Sequence, residues 1–426
     1  MANRPLPPPE QRGVPARRAA LRLLDAVLRR GEPLEAALTR ATGGLAGPDR
    51  GLAHALAAEA LRRLPDLDAL IDSATRQRLP DDAKARFALR LALTQALALG
   101  TPGHAAIATV LPLVDGGPRK LVHGVFGTLM RSGARLPDVP ALPAETAARW
   151  TAAWGATVAD EAARAFAAKP PLDLSLAVAA DTASWAERMG ADSLAPGQLR
   201  LAGAQEAVPD LPGFADGAWW VQDIAASLPA RLLGEGRGHA LDLCAAPGGK
   251  TLQLAAAGWR VTAVDASESR LARLRDNMVR TRTIADVVQA DLRDWAPPTP
   301  ADAVLLDAPC SATGIYRRHP DVLHRVRPAV IAEMATLQAT LLARAGDWVR
   351  PGGALVYATC SLEPEEGERQ LERFLAARTD FTIEPPVEGE LPVAATPQGW
   401  VRTLPGTLAA AGGCDGFFIA RLRRAT

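Results

Sequence analysis

Two thiols occupy matching places in the C-terminal half of the chain. Cys310 lies in Val304-Leu305-Leu306-Asp307-Ala308-Pro309-Cys310-Ser311-Ala312-Thr313-Gly314, and Cys360 in Leu355-Val356-Tyr357-Ala358-Thr359-Cys360-Ser361. Each follows a short apolar run of the kind that forms a buried strand, and each precedes a serine. A single cysteine is more often an inert core residue than a reactive one. Two at neighbouring strand tips, one of them behind Asp307-Ala308-Pro309, favour chemistry instead. A thiolate attacks electron-poor carbon, and a covalent detour of that kind replaces one hard step by easier ones.

A second constellation lies upstream. Asp242-Leu243-Cys244-Ala245-Ala246-Pro247-Gly248-Gly249-Lys250-Thr251 places small residues and a glycine pair between an apolar run and a helical one. Such a turn lets the backbone approach a ligand closely, and the helix N-terminus offers N–H groups to an anion such as a carboxylate. Alone, a glycine pair reads as an ordinary turn. Asp265 and Asp291, however, follow two further apolar runs, 260–264 and 284–289. A carboxylate at the first place suits a ribose diol, and one at the second an adenine amino group. Either aspartate alone reads as a helix cap or a loop end. The set favours an adenosyl ligand, with S-adenosylmethionine and a dinucleotide both compatible.

A thiol beside a methyl donor has a definite use. Carbon 5 of cytosine is a poor nucleophile, and adding a thiolate at carbon 6 makes the ring enamine-like and able to attack a methyl group. A carboxylate sharing a proton at ring nitrogen 3 assists, and Asp307 stands where it can do so. A base then removes the carbon-5 proton and the thiolate leaves. An N-methyltransferase needs no thiol. Spacing alone does not rank Cys310 against Cys360.

The elements that must hold these residues follow from periodicity. Apolar runs at 239–244, 260–264, 284–289, 303–307 and 353–359 alternate with helical segments at 249–257, 267–281 and 328–349. That alternation predicts a parallel, doubly wound sheet with ligands at the carboxyl ends of its strands. From Ala16 to Ser132 the pattern is helical. Leu21, Leu24, Val27 and Leu28 mark one buried face, and the same period in 52–64, 66–78, 83–99, 103–114 and 119–131 predicts about six helices. Glycine and proline mark 133–143 as a linker, 144–235 reads as a small α+β domain, and the proline-rich residues 1–15 read as a disordered tail.

Composition narrows the class. Of 426 residues 48% are hydrophobic and 22% charged, the balance of a globular protein. A net charge of +1 gives no global field for nucleic acid, so RNA would be held by local basic patches. Four cysteines without a C-x-x-C pair support neither zinc nor a disulfide framework, and no metal is expected. The most apolar helical stretch, Ala85 to Leu99, carries Arg86, Arg90 and Gln95 and is too short and charged for a membrane. A cytoplasmic monomer is expected, with Trp219-Trp220 as packing and Arg17, Arg18 and Arg22 as a solvated face.

Taken together, Cys244 to Lys250, Asp307 to Gly314 with Arg317-Arg318-His319-Pro320-Asp321, and Tyr357 to Ser361 with Pro364-Glu365-Glu366 resemble the bacterial Fmu/Sun (RsmB-like) family. That family methylates carbon 5 of a cytosine in 16S ribosomal RNA. Asp415-Gly416-Phe417-Phe418 resembles its last strand, and 16–132 its NusB-like RNA-binding domain. The resemblance implies an all-α NusB-like bundle at 16–132, a small α+β domain at 144–235 contacting RNA, and a Rossmann-like methyltransferase domain at 236–426. It implies S-adenosylmethionine as cofactor, contacted by Cys244, Ala245, Ala246, Pro247, Gly248, Gly249, Lys250, Asp265, Asp291 and Asp307. It makes Cys360 the nucleophile and Cys310 an aid to product release. Arg317, Arg318 and His319 are candidates for RNA phosphates. The alternatives are a cytosine-5 methyltransferase for transfer RNA or another ribosomal site, and a NusB-like assembly factor whose methyltransferase domain is inert.

Overall fold

The computed structural model describes residues 13–201, 203 and 207–426. Of the expected tail, residues 1–12 lie outside the described residues, and the first helix already begins at Val14. The described residues form two compact units: one within 13–151, 162–168 and 316–325, the other within 152–161, 169–315 and 326–426.

The first unit is helical. In chain order it contains α1 (Val14–Arg30), α2 (Leu34–Ala41), α3 (Gly47–Arg62), α4 (Leu64–Ser73), α5 (Lys84–Leu93), α6 (Gly103–Val110) and α7 (Gly116–Arg131). The apolar stripe of α1 buries Leu23, Leu24 and Val27 against Leu56, Leu61, Leu89 and Phe126. Gly31, at φ 67°, ends α1 in the left-handed conformation that glycine adopts without strain. The helix α2, absent from the sequence expectation, has only eight residues, too few to show a period. Arg86 and Arg90 of α5 are buried, each gripped by both carboxylate oxygens of one partner: Asp72 at 2.6 and 2.9 Å, Asp68 at 2.8 Å twice. The helices α8 (Ala144–Trp154) and α9 (Ala156–Ala167) each contribute residues to both units.

The second unit holds two sheets. The smaller is antiparallel, in the order β2-β3-β1-β4, from β1 (Leu172–Leu176), β2 (Asp192–Ala195), β3 (Gln198–Leu201) and β4 (Trp219–Val221), with α10 (Thr182–Met189) beside it. Trp219 and Trp220 are buried, as packing residues should be. Asp223 then caps α11 (Ile224–Arg231), its carboxylate accepting the Ala225 N–H at 2.9 Å.

The larger sheet carries the site. It contains β5 (His239–Leu243), β6 (Arg260–Asp265), β7 (Asp286–Gln289), β8 (Ala301–Asp307) and β9 (Val349–Thr359), which run parallel to one another. The helices α12 (Gly249–Ala256) and α13 (Glu268–Thr281) connect the first three strands. Between β8 and β9 run α14 (Val322–Arg325), which belongs to the helical unit, and α15 (Pro328–Asp347). After α16 (Glu368–Ala377) come β10 (Phe381–Ile383), β11 (Val401–Thr403) and β12 (Phe417–Arg424). Strand order is β10-β12-β9-β8-β5-β6-β7, with β11 paired to β12. Alternate residues bury opposite faces. Leu241, Leu243, Val304 and Leu306 meet Leu341 and Leu342 of α15, whereas Ala240, Ala303 and Leu305 meet Ile224 and Leu228 of α11 and Leu254 of α12.

One correction applies. The sheet is mixed rather than parallel throughout, because β12 runs antiparallel to β9 and pairs antiparallel with β10 and β11. An apolar run predicts a strand but says nothing of its direction when the connection before it has no helical period.

Candidate active site

The loop after β5 is shaped by close backbone approach. Gly248 opens α12 at φ 106°, and a Cβ there would lie 2.9 Å from Leu274 Cγ of α13, so only glycine fits. Asp265, at the tip of β6, is buried and pins this loop. Its Oδ2 accepts the Ala246 N–H at 3.1 Å, its Oδ1 the Ser267 N–H at 2.9 Å, and Arg270 approaches at 3.4 Å. Beside it opens a cavity of about 200 Å³ lined by Cys244, Asp265, Ala290, Asp291, Pro309, Leu337 and Leu341. Apolar walls with two carboxylates fit the flat ring and the diol of an adenosyl group.

Asp291 is engaged by a residue the sequence did not single out. Arg293 reaches it through Nη2 at 2.6 Å and through its backbone N–H at 2.9 Å, and these bonds pull the carboxyl down to about 2. The Cys244 thiol is pushed up by burial and by the nearby Asp265 and Asp307 carboxylates, so it stays protonated.

The register of β8 on β9, with Asp307 opposite Ala358, sets the two thiol loops side by side. Cys310 Sγ and Cys360 Sγ are 3.4 Å apart. Gly314 N–H donates to the Cys360 carbonyl at 2.9 Å, and a Cβ on Gly314 would meet Gly416 O at 2.0 Å, so the crossing of these loops admits only glycine. The Cys310 thiol is raised well above its ordinary value, first by its hydrogen bond to Cys360, then by burial. Cys310 therefore stays a protonated thiol.

Lys250 links the two halves of the site. Its Nζ donates to Asp307 Oδ2 at 2.7 Å and lies 5.5 Å from the Phe417 ring centroid. Burial opposes its charge, yet Asp307, Asp242 and Cys360 together raise it above its usual value, so it is a fixed cation beside the thiols. Asp242, fully buried behind it, accepts Thr251 Oγ1 at 2.6 Å and is pushed up to about 7, mainly by burial. Asp242 was not expected as part of the site, though it opens the quoted motif.

The expected residues thus gather into one region of the second unit, with one exception. Arg317, Arg318 and His319 belong to the helical unit. The Arg317 carbonyl accepts Arg62 Nη1 and Nη2 at 3.3 Å, and Arg317 is 4% exposed, which removes it from a phosphate-facing surface. Arg318 and His319 are half-buried. Among the described residues no group of three or more His, Cys, Asp or Glu is gathered to hold a metal, and no helix is long and apolar enough to cross a membrane.

A mixed sheet with this order, a glycine turn after its first strand and carboxylates at its next two tips is that of a Rossmann-like, S-adenosylmethionine-dependent methyltransferase. Comparison narrows the class. The 16S rRNA methyltransferase RsmB/F pattern matches residues 232–423 and the NusB family pattern residues 14–127. A ribosomal RNA small subunit methyltransferase B from Xanthomonas campestris pv. campestris is 36% identical over 444 residues, spanning 97% of this chain and 98% of its own. The solved protein PH0851 shares the fold with a TM-score of 0.73 over 98% of this chain and 99% of its own, at 23% identity. A methyltransferase homologue from Pyrococcus horikoshii matches with a TM-score of 0.55 and 25% identity over 70% of this chain and 98% of its own. The chain belongs to the 16S rRNA methyltransferase RsmB/F family.

Proposed function

We propose that this protein transfers a methyl group from S-adenosylmethionine to carbon 5 of a cytosine in small-subunit (16S) ribosomal RNA, in the cytoplasm, through a covalent bond between Cys360 and the base. The observation that carries this reading is the 3.4 Å approach of Cys310 and Cys360 beside the Lys250–Asp307 pair. Asp265 and Asp291 would hold the adenosyl part in the cavity beneath Leu337 and Leu341, with the loop Cys244 to Lys250 around the amino-acid part. S-adenosylmethionine bound there supplies an electrophilic methyl group. Cys360 Sγ adds to carbon 6 and drives electron density onto carbon 5. Asp307, fixed by Lys250, shares a proton at ring nitrogen 3. With carbon 5 methylated, a water molecule takes the carbon-5 proton, the carbon 5–carbon 6 double bond re-forms as the carbon 6–sulfur bond breaks, and Cys360 departs as a thiolate that the Cys310 thiol stabilises by hydrogen bonding. Arg318 and His319 are the residues proposed to contact RNA phosphates.

Replacing Cys310 by Ala removes the aid to release and leaves the nucleophile. A hydrogen bond to a charged group is worth about 1.5–3 kcal/mol, roughly ten- to 150-fold in the rate of release. Cys310→Ala should therefore accumulate a protein–RNA adduct that survives denaturing electrophoresis and forms only with S-adenosylmethionine. Cys360→Ala should give neither adduct nor bisulfite-resistant cytosine. Adducts from Cys360→Ala and none from Cys310→Ala would exchange the two roles. Activity retained in both variants would end the covalent mechanism.

A further inference from the structure

Glu366 lies in the short turn after the Cys360 strand and is fully buried. Four donors converge on its carboxylate. Oε1 accepts the Ser311 N–H at 2.8 Å and Gln338 Nε2 at 3.2 Å, and Oε2 accepts the hydroxyls of Ser311 and Ser361. Four donors fill the acceptor capacity of an ionised carboxylate, and a protonated acid would set its own O–H against one of them. Burial raises the acid, and the bonds from Ser311, Ser361 and Gln338 oppose that rise.

Ser311 and Ser361 are the residues that directly follow the two thiols. Gln338 also donates to the Pro309 carbonyl at 2.8 Å, on the other side of Cys310. The carboxylate therefore binds the Cys310 segment at two points directly and at a third through Gln338, and the Cys360 segment at one. The charges around the two thiols differ accordingly. Cys310 has the Glu366 anion behind it, which opposes a second negative charge there. Cys360 has the Lys250 ammonium within its field. Arg402 donates to the Ser361 carbonyl at 2.5 Å and is itself paired with Glu368 at 2.8 Å. Tyr357, whose hydroxyl donates to the Glu366 carbonyl at 2.6 Å, is held neutral by burial.

We propose that Glu366 is a positioning residue that divides the labour between the two thiols: its carboxylate ties their loops together and sets a buried negative charge on the Cys310 side. The carboxylate touches neither base nor cofactor. It acts through Ser311, Ser361 and Gln338, and it leaves Cys360 as the thiol that attacks. This inference rests on Cys360 being the nucleophile.

The test uses the full-length protein, a limiting dose of iodoacetamide at neutral pH, and peptide mass spectrometry to count labels on each cysteine. In the native protein Cys360 should be labelled faster than Cys310, because the anion beside Cys310 opposes formation of its thiolate, the species that is alkylated. In Glu366→Gln, matched in size but uncharged, the ratio should fall as Cys310, freed of the adjacent anion, gains reactivity, although its hydrogen bond to Cys360 and its burial remain. An unchanged ratio in a variant that still binds S-adenosylmethionine overturns the proposal. Should Glu366→Gln fail to fold, Glu366→Asp keeps the charge and shortens the clamp. It should retain the Cys360 preference, and loss of that preference overturns the role of the charge. Native labelling that favours Cys310 would instead refute the assignment of the nucleophile, whatever the Glu366 variants do.

Discussion

Replacing Asp265 by Ala tests the cofactor side of the site, and the structure sets the size of the effect. The carboxylate holds the Ala246 N–H at 3.1 Å and the Ser267 N–H at 2.9 Å, and its side chain is 3% exposed. Hydrogen bonds to a charged group contribute about 1.5–3 kcal/mol each. Water can replace the bond at Ser267, which is half-buried at the start of α13, but not the one at buried Ala246. The ligand-free protein should thus lose about 1.5–3 kcal/mol, which lowers the melting temperature by very roughly 3–12 °C at about 2–4 °C per kcal/mol. If Asp265 grips the ribose diol as proposed, its loss should weaken S-adenosylmethionine binding by a further ~1.5–3 kcal/mol, about ten- to 150-fold. Titration calorimetry measures the affinity and scanning calorimetry the melting. Asp265→Asn keeps one acceptor and should fall between. A dissociation constant within about twofold of native, with the melting shift present, would show that Asp265 shapes the loop without touching the ligand, and the diol assignment would fail.

Two further predictions concern pH and have opposite signs. Asp242 is raised to about 7, so the folded protein binds its proton more tightly than the unfolded chain does; this contribution is complete below about pH 4 and is lost as the pH rises through 7. Asp242→Asn carries no such loss, so its stability relative to native should climb by about 4 kcal/mol across that window in urea unfolding, and parallel stability–pH curves would refute the buried-acid reading. His324 is lowered to about 4 by burial, with the Leu61 carbonyl accepting from its Nε2 at 2.7 Å. Its contribution is present above about pH 6.5 and is lost as the pH falls through 4, up to about 3 kcal/mol, so His324→Gln should flatten the acid loss of protection seen by amide hydrogen exchange in α3 and α14.

Much of the catalytic sheet was legible because its signals are local. Short apolar runs, a glycine turn and acidic strand tips each announce themselves within a few residues, and β5, β6, β8 and β9 lie where those signals put them. What escaped depends on partners far along the chain. Glu366 reads as one of two adjacent acids, and only the fold reveals that Ser311, 55 positions away, is its donor. Asp291 reads as a free acceptor until Arg293 closes on it. Arg317 reads as one of a phosphate-facing trio with Arg318 and His319, since a basic residue looks the same whether solvated or packed. In the structure its segment joins the helical unit. Tyr316 stacks near Trp150 and Phe166 at 5.3 and 5.5 Å, Leu34 N–H donates to Asp321 at 3.2 Å, and Arg62 reaches the Arg317 carbonyl across 255 positions. The glycine and proline residues of 133–143 suggest a clean cut that frees residues 1–132 from the catalytic chain. That cut would remove Leu34, Leu61 and Arg62 from beneath 316–325, a segment that continues directly from the Cys310 loop. The helical unit is therefore completed by residues 316–325 of the catalytic chain, and a truncation drawn at the linker would strip that segment of the partners it packs against.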